Sequence, residues 1–285
     1  MQKWTNDEID FLTKWYGKKS KKQIANELNR TSSSVQTKAH KLGLKIPDAY
    51  HYDVDFFKNI DNEEKAYWLG FILADGYINE RVGVSYMFGI ELGIQDIEHL
   101  KKFNKSIQGN VPIKTKVKHI NDIGDTHLDK DYKFCSITLY RKQFVDNLKQ
   151  HGIKQHKTLN VELPILADDL MLHFIRGYHD GDGSVGINKK QSTLHFIFTS
   201  GCKDFLESLR EYLYRMYDIK SYIHQNHPTT YQLHIQGRYN SYYFGQLIYK
   251  DANIYLDRKY KRYKQYIQEY HIEELIKGST AVASL

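Results

Sequence analysis

The spacing of apolar and polar positions changes several times along this chain of 285 residues, and each change marks out a predicted element. Over residues 3–45 apolar side chains recur at helical spacing in three short runs. Thr5 is placed to cap the first, and Glu8 completes a capping box ahead of Ile9, Leu12, Trp15 and Tyr16. Ser20 opens a second helix that buries Ile24, Ala25 and Leu28. Thr31 or Ser32 opens a third, with Val35, Ala39 and Leu42 inward and Gly43 at its end. Pro47 and a cluster of Asp and Tyr residues then break the period, which predicts a linker over 47–62.

From residue 63 a longer pattern begins and repeats. An apolar run, Ala66–Ala74, ends at Asp75-Gly76; then Val82, Val84, Tyr86, Phe88, Ile90 and Leu92 alternate with small or polar residues, as in a half-buried strand. At an offset of 107 residues, "FIRGYHDGDG" ends at Asp182-Gly183, and Leu194, Phe196 and Phe198 alternate in turn. Helices follow at "DIEHLKKF" and "DFLESLREYL", then strands over 111–119 and 132–140 in one half and over 220–227 and 231–237 in the other. Both halves are expected to be α-β-β-α-β-β-α, a duplicated α+β architecture. The expected boundaries are a three-helix domain over 1–46, the linker over 47–62, halves over 63–160 and 161–278, and a polar tail over 279–285.

The repeat brings chemistry with it. Gly70 and Gly177 share the 107-residue offset and sit inside helices, where Gly costs about 1 kcal/mol relative to Ala. Without side chains they let two helix backbones approach closely, which predicts a symmetric helix interface over 64–76 and 169–183. Asp75 and Asp182 then fall at the adjacent C-terminal ends, where the helix dipole disfavours an acid. Two neighbouring carboxylates with helix-end carbonyls, those of Ala74 and Gly181, form a hard oxygen site suited to Mg²⁺. Each Asp-Gly pair taken alone is equally an ordinary helix stop before a hairpin; the shared offset with the glycines is what argues for a site. An EF-hand does not fit "DGDGSVGINKKQ", whose sixth residue is Val185 and whose twelfth is Gln191.

Composition narrows the class. A hydrophobic share of 41% and a charged share of 26% are those of a folded protein, and 23 tyrosines supply many rings with a polar handle. The net charge is +7 and the pI about 9.0, which favours a polyanionic partner. Residues 1–48 are the most basic part, with 10 Lys/Arg against 5 Asp/Glu. Cys135 and Cys202 form no metal-binding pair, and no apolar run approaches the ~18 residues that span a bilayer. A cytoplasmic, intracellular protein without membrane contact is expected.

Several polar faces suit such a partner. The third helix presents Ser33, Ser34, Gln36, Thr37, Lys38 and Lys41, groups that bond phosphates and base edges, so that residues 3–45 resemble Myb-like helix-turn-helix domains; a protein-interaction module is the alternative. Lys114, Lys116 and Lys118 alternate with Ile113, Thr115 and Val117, giving one basic and one core face. Gln232, His234 and Gln236, with His195 and Arg238, offer amide, imidazole and guanidinium donors. A single strand of this kind is equally a solvated sheet face; several together on a basic chain favour nucleic acid.

"WLGFILADG" and "IRGYHDGDG" resemble the two motifs of single-chain LAGLIDADG homing endonucleases, and the likeness extends over about residues 63–270. The resemblance implies a pseudo-twofold αββαββα fold with saddle-shaped antiparallel sheets on the DNA major groove. Asp75 and Asp182 would be the metal-binding acids, each cutting one strand to leave short 3′ overhangs. Lys157 and Lys259 would lie in the basic pockets of the active sites, with Arg258 as an alternative to Lys259 and plain surface lysines as the other reading. The implied cofactor is Mg²⁺, with Mn²⁺ as a substitute, and the implied partner is double-stranded DNA with a long asymmetric site, bound by a monomer. Leu73 departs from the motif's first acid, and Arg176 and His179 make the second helix more polar than a packing seam. An intron maturase acting on RNA and a non-cleaving DNA-binding regulator are the competing functions. An intein origin is not expected of a chain that opens with Met1 and closes with "GSTAVASL".

Overall fold

A computed structural model describes residues 3–44, 50–81, 83–123, 126–155, 161–270 and 272, with the backbone alone over 120–130. The chain divides into two compact units, 1–51 and 52–285. The first holds α1 (Asn6–Trp15), α2 (Lys21–Glu27) and α3 (Ser32–Lys41). Thr5 and Glu8 form the expected capping box, Ser20 and Gln23 form a second, and Thr31 caps α3. Leu12, Ile24, Ala25, Val35 and Ala39 make the core. Leu42, expected inward, is 38% exposed, because α3 has ended and Gly43 turns the chain with a left-handed φ of +66°.

The second unit starts inside the expected linker. Phe56 and Phe57 are buried in its core, and Asp53 N–H donates to the Ile107 carbonyl at 2.7 Å. Tyr52, Phe56, Phe57 and Ile60 therefore pack with the second unit's core rather than belonging to a spacer.

Two α-β-β-α-β-β-α halves follow. The first runs α4 (Glu63–Asp75), β1 (Gly76–Arg81), β2 (Ser85–Gly93), α5 (Ile97–Ser106), β3 (Lys114–Ile123), β4 (Thr126–Leu139) and α6 (Lys142–Gln150). The second runs α7 (Asp168–Asp182), β5 (Gly183–Asn188), β6 (Thr193–Ser200), α8 (Lys203–Tyr217), β7 (Tyr222–His227), β8 (Thr230–Ile235) and α9 (Arg238–Tyr249), and adds α10 (Asp257–Glu269). Each half holds a four-stranded antiparallel sheet of the same order, β1-β2-β4-β3 and β5-β6-β8-β7.

Alternation sets the faces of each sheet. Phe88, Ile90, Leu92, Cys135 and Ile137 fill the core side of the first, and Leu194, Phe196, Phe198, Leu233 and Ile235 that of the second. The expected strand from Val82 starts later. Val84 is 79% exposed in the turn between β1 and β2, and Val82 lies outside the described residues. The β3–β4 hairpin also runs further than its apolar residues suggest, out to Ile123 and Thr126. No described helix is long and apolar enough to cross a membrane.

Candidate active site and nucleic-acid interface

Helices α4 and α7 pack along their lengths, and two glycines set their separation. A Cβ on Gly70 would fall on the Phe174 carbonyl oxygen, and a Cβ on Gly177 on that of Tyr67. The contact is backbone against backbone, reciprocal, as the shared offset predicts.

Both helices end at an aspartate and pass directly into a strand. Gly76 and Gly183, the C-caps, are extended (φ −77° and −108°), so Asp75 and Asp182 stand where each helix turns into its sheet. Asp75 is half-buried and Asp182 exposed. Asp75 is close to the other helix: a Cβ on Gly181 would lie 3.3 Å from its Oδ2. Both acids also act on the same two neighbours, Tyr178 and Lys259. Burial drives the Tyr178 hydroxyl out of its usual range, and the two carboxylates push it the same way.

Lys259 is buried under the end of α7. Its Nζ donates to the carbonyls of His179 at 2.6 Å, Asp180 at 2.7 Å and Gly183 at 2.5 Å, with Gly181 at 3.4 Å. These contacts occupy an ammonium's three donors and neutralise the negative end of the helix beneath Asp182. Burial lowers its pKa to about 8, against the pull of Asp180, Asp75 and Asp182. Arg258, the alternative, instead pairs with Asp96 at 3.1 Å. Lys157 lies outside the described residues.

Sequence reasoning missed the polar network behind this site. Arg176 is buried and crosses to Glu63 at 2.7 Å, while also donating to the Ile248 and Ile254 carbonyls at 2.8 Å each. Asp180 is buried, and its Oδ2 accepts from the Tyr67 hydroxyl at 2.8 Å and from Leu256 N–H at 2.7 Å. That second bond fixes the start of α10, the helix that carries Lys259. The Tyr67 oxygen also meets His99 Nε2 at 3.0 Å. Since its one proton goes to Asp180, His99 must donate from Nε2. Burial holds His99 neutral, with a pKa down at about 3, and pushes Asp180 upward. His179 is likewise buried and neutral against the Ser184 carbonyl.

The sheet faces away from the core carry the expected polar residues. Lys114, Lys116 and Lys118 are exposed, but the face opposite them is not core: β3 is an edge strand and Val117 is 58% exposed. Lys116 and Lys118 both pair with Glu91 on β2. On the second sheet His195 and His234 are half-buried, and Tyr222 lies parallel on the His234 ring with centroids 4.9 Å apart. Burial lowers both imidazoles, and His224 adds to the effect on His234. Gln232 is half-buried, Gln236 exposed, and Arg238 opens α9.

Within the first unit, Ser33, Ser34, Thr37, Lys38 and Lys41 line one open cleft with Trp4 and Arg30, and Gln36 lies on an adjoining one. Arg30 is fixed by both oxygens of Glu8, at 2.7 and 2.9 Å, and rests on the Trp4 ring at 4.3 Å. That pairing draws the Glu8 carboxyl down to about 2.

Two halves thus meet at a glycine-cleared helix seam, and each helix of the seam ends in an acid where its sheet begins. Residues 169–249 match the LAGLIDADG-like domain family. Among solved structures the chain is similar to the homing endonuclease I-WcaI bound to its DNA recognition sequence, at 18% identity, covering 72% of this chain and 90% of that one with a TM-score of 0.50. It also aligns with full-length DUF199/WhiA from Thermatoga maritima at 15% identity, over 81% of this chain and 72% of that one, with a TM-score of 0.45. Among curated proteins, the uncharacterized protein MJ0314 of Methanocaldococcus jannaschii is 28% identical over 134 residues, 45% of this chain. The match spans 44% of that relative's length. The described part of the second unit has the fold of the LAGLIDADG proteins.

Proposed function

We propose that this chain is a site-specific, divalent-metal-dependent endonuclease for double-stranded DNA. The observation that carries the reading is the placement of Asp75 and Asp182 at the paired ends of α4 and α7, close enough that both act on Tyr178 and Lys259. A binding-only protein gains nothing from two acids beside helix ends, where they cost about 0.3–1 kcal/mol each.

The donor set fits a hard cation. Two carboxylates and the carbonyls of Ala74 and Gly181 are oxygen ligands, and Mg²⁺ is commonly held by one or two carboxylates with water and substrate phosphate completing its shell. Mn²⁺ is accepted by the same donors. Bound there, the cation supplies Lewis-acid polarisation of the scissile phosphate and lowers the pKa of an attacking water.

The protein's own groups do the rest. Asp75 and Asp182 would hold the cation beside the reacting phosphates, one acid serving each strand, giving staggered cuts with short 3′ overhangs. Lys259, saturated by carbonyls, acts as a positioning residue that fixes the α7 end rather than as a proton carrier. Lys157 is the candidate for the matching place in the first half. The polar sheet faces bind the major groove of a long asymmetric site. Two halves in one chain complete the paired site, so a monomer suffices. The first unit adds contacts to flanking DNA through α3.

The test is cleavage of the uninterrupted form of the gene's own insertion locus in Mg²⁺ and in Ca²⁺, with the wild type and with the double variant Asp75→Asn/Asp182→Asn. Cutting of both strands in Mg²⁺ alone, lost in the variant while binding in Ca²⁺ persists, is the expected result. Salt-sensitive binding without cutting in any metal would sink the enzyme and leave a regulator or an RNA-binding maturase.

A further inference from the structure

The two sheets present unlike chemistry at equivalent places. On the first, Glu91 faces away from the core between buried Ile90 and Leu92, and lies across from Ser136, which in turn lies across from Lys114. On the second sheet the same cross-strand row is Thr199, Gln232 and His224. Glu91 is thus a charged acceptor built into one sheet only.

It is also held charged. Lys116 sits on its Oε2, and Lys118 on its Oε1 at 2.5 Å. Partial burial alone would raise its pKa, and the two lysines outweigh that and lower it. The Glu91 side chain is 22% exposed, while those of Lys116 and Lys118 are 43% and 47% exposed, so the lysine ends lie nearer solvent than the carboxylate they pair with.

An unpaired carboxylate on a surface that meets DNA is repelled by phosphate, so once its lysines turn to the duplex Glu91 needs a hydrogen-bond donor from a base edge. The major groove presents two, cytosine N4 and adenine N6. Adenine places the acceptor N7 beside N6, which a carboxylate disfavours and a carboxamide matches. Cytosine has no such neighbour. Across the same base pair guanine presents O6 and N7, the acceptors that lysine favours.

We propose that Glu91 selects a C·G pair in the half of the site lying on the first sheet, Glu91 accepting from cytosine N4 while Lys116 or Lys118 turns to the paired guanine. This rests on the proposed recognition of DNA, and names a residue and a base within it.

The experiment is selection of bound duplexes from a randomised pool in Ca²⁺, using the full chain as wild type, Glu91→Gln and Glu91→Ala, each checked by its melting curve. The wild type is expected to enrich a consensus with a fixed cytosine in one half. Glu91→Gln should change the cytosine-to-adenine ratio there by about tenfold in favour of adenine, leaving other positions alone. Glu91→Ala should lose the preference at that position. An unchanged consensus in both variants, with tighter and more salt-sensitive binding, would overturn the proposal and make Glu91 a mere restraint on the lysines. A wild type that selects no consensus would sink the DNA reading itself, a separate and recognisable failure.

Discussion

Single residues decide how closely the two halves meet. Because a Cβ on Gly70 or Gly177 would land on the facing helix backbone, neither neighbour can yield by changing rotamer. Gly70→Ala and Gly177→Ala are each expected to destabilise the fold by about 3 kcal/mol, despite alanine's higher helix propensity, read as a lower denaturation midpoint in urea. His99 gives a pH signature. Its folded pKa of about 3 lies below the ordinary value of 6.5, so the unfolded chain binds a proton that the folded one refuses. Stability that is complete above pH 6.5 therefore falls as the pH drops towards about 3, by about 5 kcal/mol at most. The difference in unfolding free energy between wild type and His99→Phe, measured from pH 7 to pH 4, should shrink or reverse as the pH falls; a constant difference would contradict the burial argument. The glycines and the two acids were legible in the sequence because they share one offset. The Arg176–Glu63 and Asp180–Tyr67 bonds were not, since their partners lie 113 residues apart and no local pattern announces them.

Elements were legible where burial imposes a period. Capping residues placed the first three helices, and alternation placed β2, β6 and β8, whose core faces are filled. Alternation misled at β3, where Thr115 and Val117 continue the pattern beyond the core on an edge strand. Segment 52–62 reads as a linker because Val54, Phe56, Phe57 and Ile60 fall among polar residues in too short a stretch to show a period, yet Phe56 and Phe57 are buried. The unit boundary has its own consequence. Removing residues 1–51 should leave the second unit folded, with its own two sheets and core. On the DNA reading, the shortened chain is expected to cut at the same position with a shorter footprint and a shallower salt dependence, the lost slope reflecting about 0.9 per phosphate contact removed. Loss of the cutting position, rather than of affinity, would contradict the assignment of chemistry to the second unit.

At the scale of the whole chain, the duplication makes two similar but unlike halves. Asp180 and Arg176 tie α7 to the backbone at Leu256, Ile254 and Ile248, whereas Leu73 and Leu69 occupy the offset-equivalent places on α4. On the proposed function each acid serves one strand. The most direct measurement is strand-resolved cleavage in Mg²⁺ by Asp75→Asn and Asp182→Asn as separate variants, on a duplex labelled differently on its two strands. Each variant is predicted to bind as the wild type does and to nick one strand only, the two variants sparing opposite strands. Cutting of both strands by either variant, or of neither strand by the wild type, would contradict it.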